Sequence, residues 1–210
     1  NLIRKLTKNN YKVVAVTRNI HQKGYILKTQ ANPGYLEIVE INSFNIEKID
    51  SLLEQCSICI NLIGILYENK KNLFKKIHTD LPDLLSKLAA KNNIEKFIHL
   101  SSLGIEKSTD SNYAMSKLEG ENKIRNNFKK SIILKPSLVY SVDDNFTTNF
   151  MTLLSRLPFM PIYYNGKTQF APIHVADLVE IIFGVVEGKS NEKTIECIGP
   201  EILSFKEIIF

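Results

Sequence analysis

This sequence predicts a doubly wound parallel α/β sheet, and three observations carry that prediction. Continuous apolar runs of strand length recur along the 210 residues. Segments with helical spacing separate them. The composition, 44% hydrophobic and 23% charged, is that of an ordinary globular chain long enough for one substantial core. Strands buried on both faces lose the in–out alternation, and parallel neighbours joined by helices require right-handed crossovers.

The elements follow in order. Asn1–Asn10 (NLIRKLTKNN) reads as an amphipathic helix running straight into Tyr11–Thr17, a buried strand. Leu36–Ile41 is the next strand, Ile46–Gln55 a helix, and Ser57–Ile63 another strand. Leu73, Ile77, Leu81, Leu84, Leu85 and Leu88 then repeat at helical spacing, with Pro82 marking a kink or a late start. Lys96–Leu100 (KFIHL) is a strand, Tyr113–Asn127 a helix, and Ser131–Leu134 a strand ending at Pro136. Leu203–Phe210 begins a further helical pattern. We divide the chain into residues 1–140, the sheet domain, and residues 141–210, part of a smaller lobe with a segment that returns to the sheet.

Several function classes are disfavoured at this level. The longest apolar run, Ile58–Leu66, is interrupted by Asn61 and Gly64 and falls far short of a membrane span. No leader-like apolar core opens the sequence. The net charge of +5 comes from scattered Lys with no basic, aromatic-interleaved stripe, so nucleic acid is not an expected partner. Cys56 and Cys59 have a redox or zinc spacing, but Cys197 is the only other cysteine, which rules out a four-thiolate zinc site. The pair leads into an apolar run rather than opening a helix, so free buried or half-buried thiols are expected. His21 and His78 lack neighbours at metal-ligand spacing, and His99 and His174 are expected to be structural. No metal site is expected.

The chemistry-bearing motif is Tyr113-Ala-Met-Ser-Lys117. Positions i and i+4 share a helix face, so a phenol and an ammonium can enter one cleft. A nearby ammonium would lower the phenol pKa toward neutrality and make a usable general acid/base. Tyr67–Lys71 and Tyr163–Lys167 repeat the spacing. Only Tyr113 opens a long helix shortly after a strand that ends in Ser101-Ser102, whose hydroxyls can hold a carbonyl oxygen.

The order of HLSSLG (His99–Gly104), YAMSK, helix and IILKPSLVY (Ile132–Tyr140) resembles the extended and atypical short-chain dehydrogenases/reductases, the epimerase/dehydratase-like branch. That resemblance implies a Rossmann-type NAD(P)-binding fold. It assigns Ser102 (or Ser101), Tyr113 and Lys117 to the catalytic set, with Lys117 also on the nicotinamide ribose and Pro136 and Ser137 bordering the nicotinamide. Phe170–Leu178 (FAPIHVADL) resembles the segment that returns from the substrate lobe. In such a fold a strand and a Gly-rich phosphate loop precede the first helix, so both are expected ahead of Asn1. A closer likeness lies in Asn61–Glu68 (NLIGILYE), HLSSLG and Pro136–Asn145 (PSLVYSVDDN). Together these resemble the NAD(P)H-binding accessory subunits of respiratory complex I and their bacterial relatives, a family that keeps the nucleotide fold in a structural role. Asn42 and Ser141 depart from that pattern, where Asp and Gly are common.

Arg18 closes the Tyr11–Thr17 strand, where an acidic residue would bond the ribose 2′-OH of NAD. An Arg there suits the 2′-phosphate of NADP, so NADP(H) is expected over NAD(H), against the reading of a solvated loop Arg. Asn61, Leu62, Ile63 and Gly64 close a strand where a close backbone approach to the cofactor benefits from Gly, or simply form a tight strand end. Phe146, Phe150, Leu153 and Leu154 suggest core packing or a partner-facing helix. Two functions remain open. One is an accessory or assembly subunit of complex I, cytoplasmic and peripheral on the inner face of an energy-transducing membrane. The other is an NADP-dependent oxidoreductase or nucleotide-sugar epimerase/dehydratase using Ser102, Tyr113 and Lys117.

Overall fold

The computed structural model describes residues 1–41, 44–70, 73–108, 110–141, 166–190 and 192–209. Helix α1 (Leu2–Lys8) leads into strand β1 (Val13–Thr17), followed by α2 (Ile20–Lys28), β2 (Leu36–Glu40), α3 (Ile46–Leu53) and β3 (Ile58–Asn61). A π-helical segment, Lys75–Asp80, runs directly into α4 (Leu81–Lys91). Pro82 sits in the first turn of α4, where its missing N–H costs least, so the late start is the outcome. Then come β4 (Lys96–Leu100), a 3-10 turn at Ile105–Lys107, α5 (Asn112–Asn127), β5 (Ser131–Pro136) and the two-residue strand β6 (Val139–Tyr140). The returning segment supplies β7 (Gln169–Phe170), β8 (Ile173–His174), α6 (Val175–Val186), β9 (Thr194–Cys197), β10 (Leu203–Ser204) and α7 (Phe205–Ile209).

All pairings in the main sheet are parallel, in the order β3–β4–β5–β9. Strands β1 and β2 pair in parallel as a separate ribbon. The division falls between the two strands that flank the first strand in the 3-2-1-4-5-6 order of doubly wound sheets. Successive residues of β4 face opposite sides, as the period of two requires. Ile98 joins Leu6, Ile132, Leu134, Leu178, Ile182 and Val186 under α1 and α6. Phe97 joins Ile49, Leu88, Ala89, Ile124 and Phe128 under α3, α4 and α5. Helices thus cover both faces, and β5 is buried along its whole length.

Caps define several boundaries. Asn19, Asn45 and Ser111 accept backbone N–H bonds at the starts of α2, α3 and α5. His174 does the same for α6, its Nδ1 accepting from Ala176 N at 3.3 Å. At the far end of α6, Lys96 of β4 donates to the carbonyls of Val185 and Val186 at 3.0 and 2.8 Å. This satisfies two terminal acceptors and places a cation against the helix dipole. Cys56 and Cys59 are free and sit against the second core cluster, and Cys197 is free within the first. Burial pushes the Cys59 thiol up to about 12 and the Cys197 thiol up to about 11, which makes both poor nucleophiles.

Candidate nucleotide site

Strand β4 ends at Leu100, and α5 starts twelve residues on, so Ser101, Ser102, Tyr113 and Lys117 meet at the carboxyl end of the strand. Ser102 lies beside the Tyr113 phenol, near enough to favour its ionised form. Lys117 reaches back under the strand end, its Nζ donating to Leu100 O at 3.4 Å, and lies 5.7 Å from the Tyr113 ring centroid. The head of Tyr113 therefore faces the cleft beside the Ser pair, and Lys117 is 6% exposed. Gly64 closes the other side. A Cβ there would lie 3.8 Å from both Lys117 Nζ and His78 Nε2.

The remaining predicted residues are distributed as follows. Asn61 is buried beneath the cleft, its Nδ2 bonded to His99 Nδ1 at 3.1 Å and its Oδ1 accepting from Ile63 N at 3.1 Å. Since an amide nitrogen only donates, His99 Nδ1 accepts and the ring proton sits on Nε2. Leu62 and Ile63 are exposed, about half of each in contact with solvent. Ser101 is buried, its N donating to Leu134 O, and its hydroxyl has no partner. Pro136 ends β5 and accepts from Leu103 N at 2.9 Å; Ser137 Oγ accepts from Ala171 N of the returning segment at 3.2 Å. Arg18 is exposed just beyond β1. Tyr67 is exposed. Lys71, Tyr163, Asn42 and the Phe146–Leu154 segment lie outside the described residues.

The sequence did not single out His78. The π-helical turn aims it inward, stacked on Phe74 (5.3 Å, 16°) and edge-on to Tyr113 (5.2 Å, 88°). Its Nε2 accepts from Ile65 N at 3.1 Å, so Nδ1 carries the proton and donates to Ser116 Oγ at 3.0 Å, which donates on to Tyr113 O at 2.8 Å. One neutral tautomer satisfies the whole chain. His78 thus ties the loop after β3 to α5. Its backbone is pressed against Gly120 of α5, where a Cβ would lie 1.9 Å from His78 O. A π-turn in an otherwise α-helical stretch is the one local signal for such a residue, and it leaves no mark in the apolar repeat.

Electrostatics at the site run opposite to one expectation. Burial raises the Tyr113 phenol above its ordinary value, and Ser102 offsets this only in part. The ammonium of Lys117 lies over the ring rather than at the phenolic oxygen. Lys117 itself is pushed down to about 8 by burial, against a smaller upward pull from Glu121. Burial and the charge of Lys117 push His78 down to about 4 and His99 down to about 3. Between pH 6.5 and about 4 the unfolded chain therefore takes up protons that the folded state refuses, and stability falls as pH falls through that window. We expect the urea midpoint to show this, with His78→Gln removing up to about 1.4 kcal/mol per pH unit of the slope. Parallel pH curves for the two proteins would refute it.

A doubly wound sheet with Ser, Tyr and Lys gathered at a strand's carboxyl end is the arrangement of the short-chain dehydrogenases/reductases. Residues 1–198 match the NAD dependent epimerase/dehydratase family, and the chain belongs to it. It is similar to the mitochondrial NADH dehydrogenase [ubiquinone] 1 alpha subcomplex subunit 9 of Arabidopsis thaliana, 23% identical over 99% of this chain and 52% of the relative. It is also similar to the ceramide reductase of Caulobacter vibrioides, 28% identical over 61% of this chain and 40% of that protein. Among solved structures, the UDP-glucuronic acid 4-epimerase of Bacillus cereus superposes with a TM-score of 0.76 at 20% identity, covering 99% of this chain and 76% of the other. That likeness shows the fold alone. The chain spans about half the length of the complex I subunits it matches. Among the described residues no helix is long and apolar enough to cross a membrane, and no cluster of three His, Cys, Asp or Glu could hold a metal ion.

Proposed function

We propose that this protein binds a nicotinamide dinucleotide in the cleft at the end of β4 and holds it as an accessory or assembly subunit of respiratory complex I. The observation that carries the reading is the convergence of Ser102, Tyr113 and Lys117 beside Gly64. The residues present fit the cofactor. Lys117 is buried yet makes one long hydrogen bond, which leaves donors for ribose hydroxyls, and the Ser101 hydroxyl lacks a partner. When bound, the nicotinamide supplies or accepts hydride. Tyr113, held as a phenol by burial, donates to an oxygen in the cleft, and Ser102 orients it. The similarity to complex I subunits supports the assembly role. The protein would be cytoplasmic and reach the inner face of the membrane through protein contacts, helped by its basic charge near anionic lipid.

NADP(H) is favoured over NAD(H), because Arg18 follows β1 where a 2′-phosphate would lie. Fluorescence titration of the full-length protein should show tighter binding of NADPH than NADH. Arg18→Ala should narrow the gap by about 1.5–3 kcal/mol, the worth of a charge-assisted bond. Equal affinities in the unmutated protein would sink the Arg18 assignment. The enzyme reading keeps one specific support, the placement of Ser102 beside the Tyr113 phenol. Gradient fractionation of gently solubilised membranes separates the two. Co-migration with complex I, unchanged by Tyr113→Phe, supports the subunit. A protein that runs free, and loses a carbonyl reduction on Tyr113→Phe, is an enzyme.

A further inference from the structure

The π-helical segment meets both the first turns of α5 and the loop after β3. His78, 2% exposed, bonds in both directions. Toward α5 its Nδ1 donates to Ser116 Oγ at 3.0 Å, and Thr79 Oγ1 beside it donates to Ser116 O at 2.9 Å. Ser116 directly precedes Lys117, so the turn that carries the ammonium is gripped at side chain and carbonyl alike. Toward the loop, His78 Nε2 accepts from Ile65 N at 3.1 Å. The loop is also held on either side of this bond. Ile63 N donates to Asn61 Oδ1 at 3.1 Å, and Phe74 N donates to Glu68 Oε1 at 2.7 Å. Gly64 lies between the pinned amides of Ile63 and Ile65, and a Cβ on it would be 3.8 Å from both His78 Nε2 and Lys117 Nζ. The loop backbone therefore stands against the ammonium, and one imidazole links it to the helix that carries Lys117.

We propose that His78 is a positioning residue for the nucleotide: by accepting from Ile65 N it sets the Gly64–Ile65 backbone against Lys117 as one wall of the cleft. The inference rests on the reading that this cleft binds a nicotinamide dinucleotide. The position needs an acceptor facing the loop and a donor facing α5, and a neutral imidazole supplies both. Which nitrogen does which is set from the α5 side. A hydroxyl has one proton, and that of Ser116 goes to Tyr113 O at 2.8 Å, so its oxygen accepts from Nδ1. Nε2 then keeps its lone pair toward Ile65 N. The Ser before Lys117 thus decides how His78 meets the loop. Stacking on Phe74 and the edge of Tyr113 fix the plane of the ring.

Two substitutions separate the work of the two ring nitrogens. His78→Gln puts an oxygen where Nε2 lies and can still accept from Ile65 N. His78→Asn puts an amide nitrogen where Nδ1 lies and leaves Ile65 N without its acceptor. Both remove the ring, so a merely structural role predicts equal losses. The positioning role predicts an NADPH dissociation constant of the full-length protein within about threefold of wild type for His78→Gln and raised about tenfold for His78→Asn. Hydrogen exchange of the Ile65 amide, measured without nucleotide, should follow the same order. Equal losses, or a larger loss in His78→Gln, overturn the inference. Where the variants do not fold, the unmutated protein decides: nitrogen NMR should find the His78 proton on Nδ1, and bound NADPH should shift the Ile65 amide resonance. A proton on Nε2, or an Ile65 resonance that bound NADPH leaves in place, overturns the inference. Ile65 exchange in the stated order, in a protein that binds neither NADPH nor NADH, overturns the nucleotide reading and supports the hold of His78 on the loop.

Discussion

Gly120→Ala is expected to lower the melting temperature by about 6 °C or more, although Ala is the better helix former. In an exposed helix interior the exchange would gain about 1 kcal/mol. Here the new Cβ would lie 1.9 Å from His78 O and 3.0 Å from its carbonyl carbon, both backbone atoms that cannot rotate away. Helix α5 and the π-helical segment must separate, and overpacking of this kind costs about 3 kcal/mol, or about 2–4 °C per kcal/mol for a chain of this size. Gly184→Ala in α6 is the control, since its nearest neighbour would be the flexible Lys189 Cδ at 4.0 Å. Thermal unfolding should show opposite signs for the two variants. Similar melting temperatures would mean that the helices are not as closely apposed as described.

Lys117→Met should do two things at once: stabilise the folded protein at pH 7 and weaken nucleotide binding at least about tenfold, the worth of one charge-assisted bond. The buried ammonium has its pKa lowered from 10.5 to about 8, which corresponds to about 3 kcal/mol. Below pH 8 both folded and unfolded states hold the proton, and the folded state carries the full cost of burying it. Between about 8 and 10.5 the unfolded chain binds the extra proton, so wild-type stability rises with pH across that window. The advantage of Lys117→Met is therefore greatest at pH 7 and gone near pH 10.5. Urea unfolding at both pH values measures it. A variant less stable than wild type at pH 7 would show that Lys117 supports the fold rather than straining it.

The sheet was legible where burial on both faces wrote a continuous apolar run. KFIHL and SIIL fell on β4 and β5 within two residues, and the helix read from Tyr113 began within one residue of α5. Helix α2 was not legible: IHQKGYILK is mostly exposed and presents no apolar stripe to read. Strands β6, β7, β8 and β10 have two residues each, and only pairing partners distant in sequence make them strands. In the candidate site, Tyr113 and Lys117 lie on one helix, α5, which converts their i, i+4 spacing into a shared face. The direction of the Tyr113 pKa was not readable, since it depends on how much water the fold excludes. Glu106, Glu121 and Lys135 look like ordinary surface charges in sequence. Only the register of β5 against α5 and the turn after β4 brings them together, with Glu121 and Lys135 buried and Glu106 exposed.

The burial of β5 carries a consequence for the protein's synthesis on the ribosome. Residues 131–136 emerge roughly sixty residues before β9, the strand that pairs with them through Ile133, Leu134, Lys135 and Pro136. At about 5–20 residues per second the nascent chain waits several seconds with this apolar edge unpaired. The helix that covers Ile132 and Leu134, α6, is equally late. An unpaired apolar strand is a template for pairing with another chain. The half-made protein therefore presents this edge until β9 pairs with it.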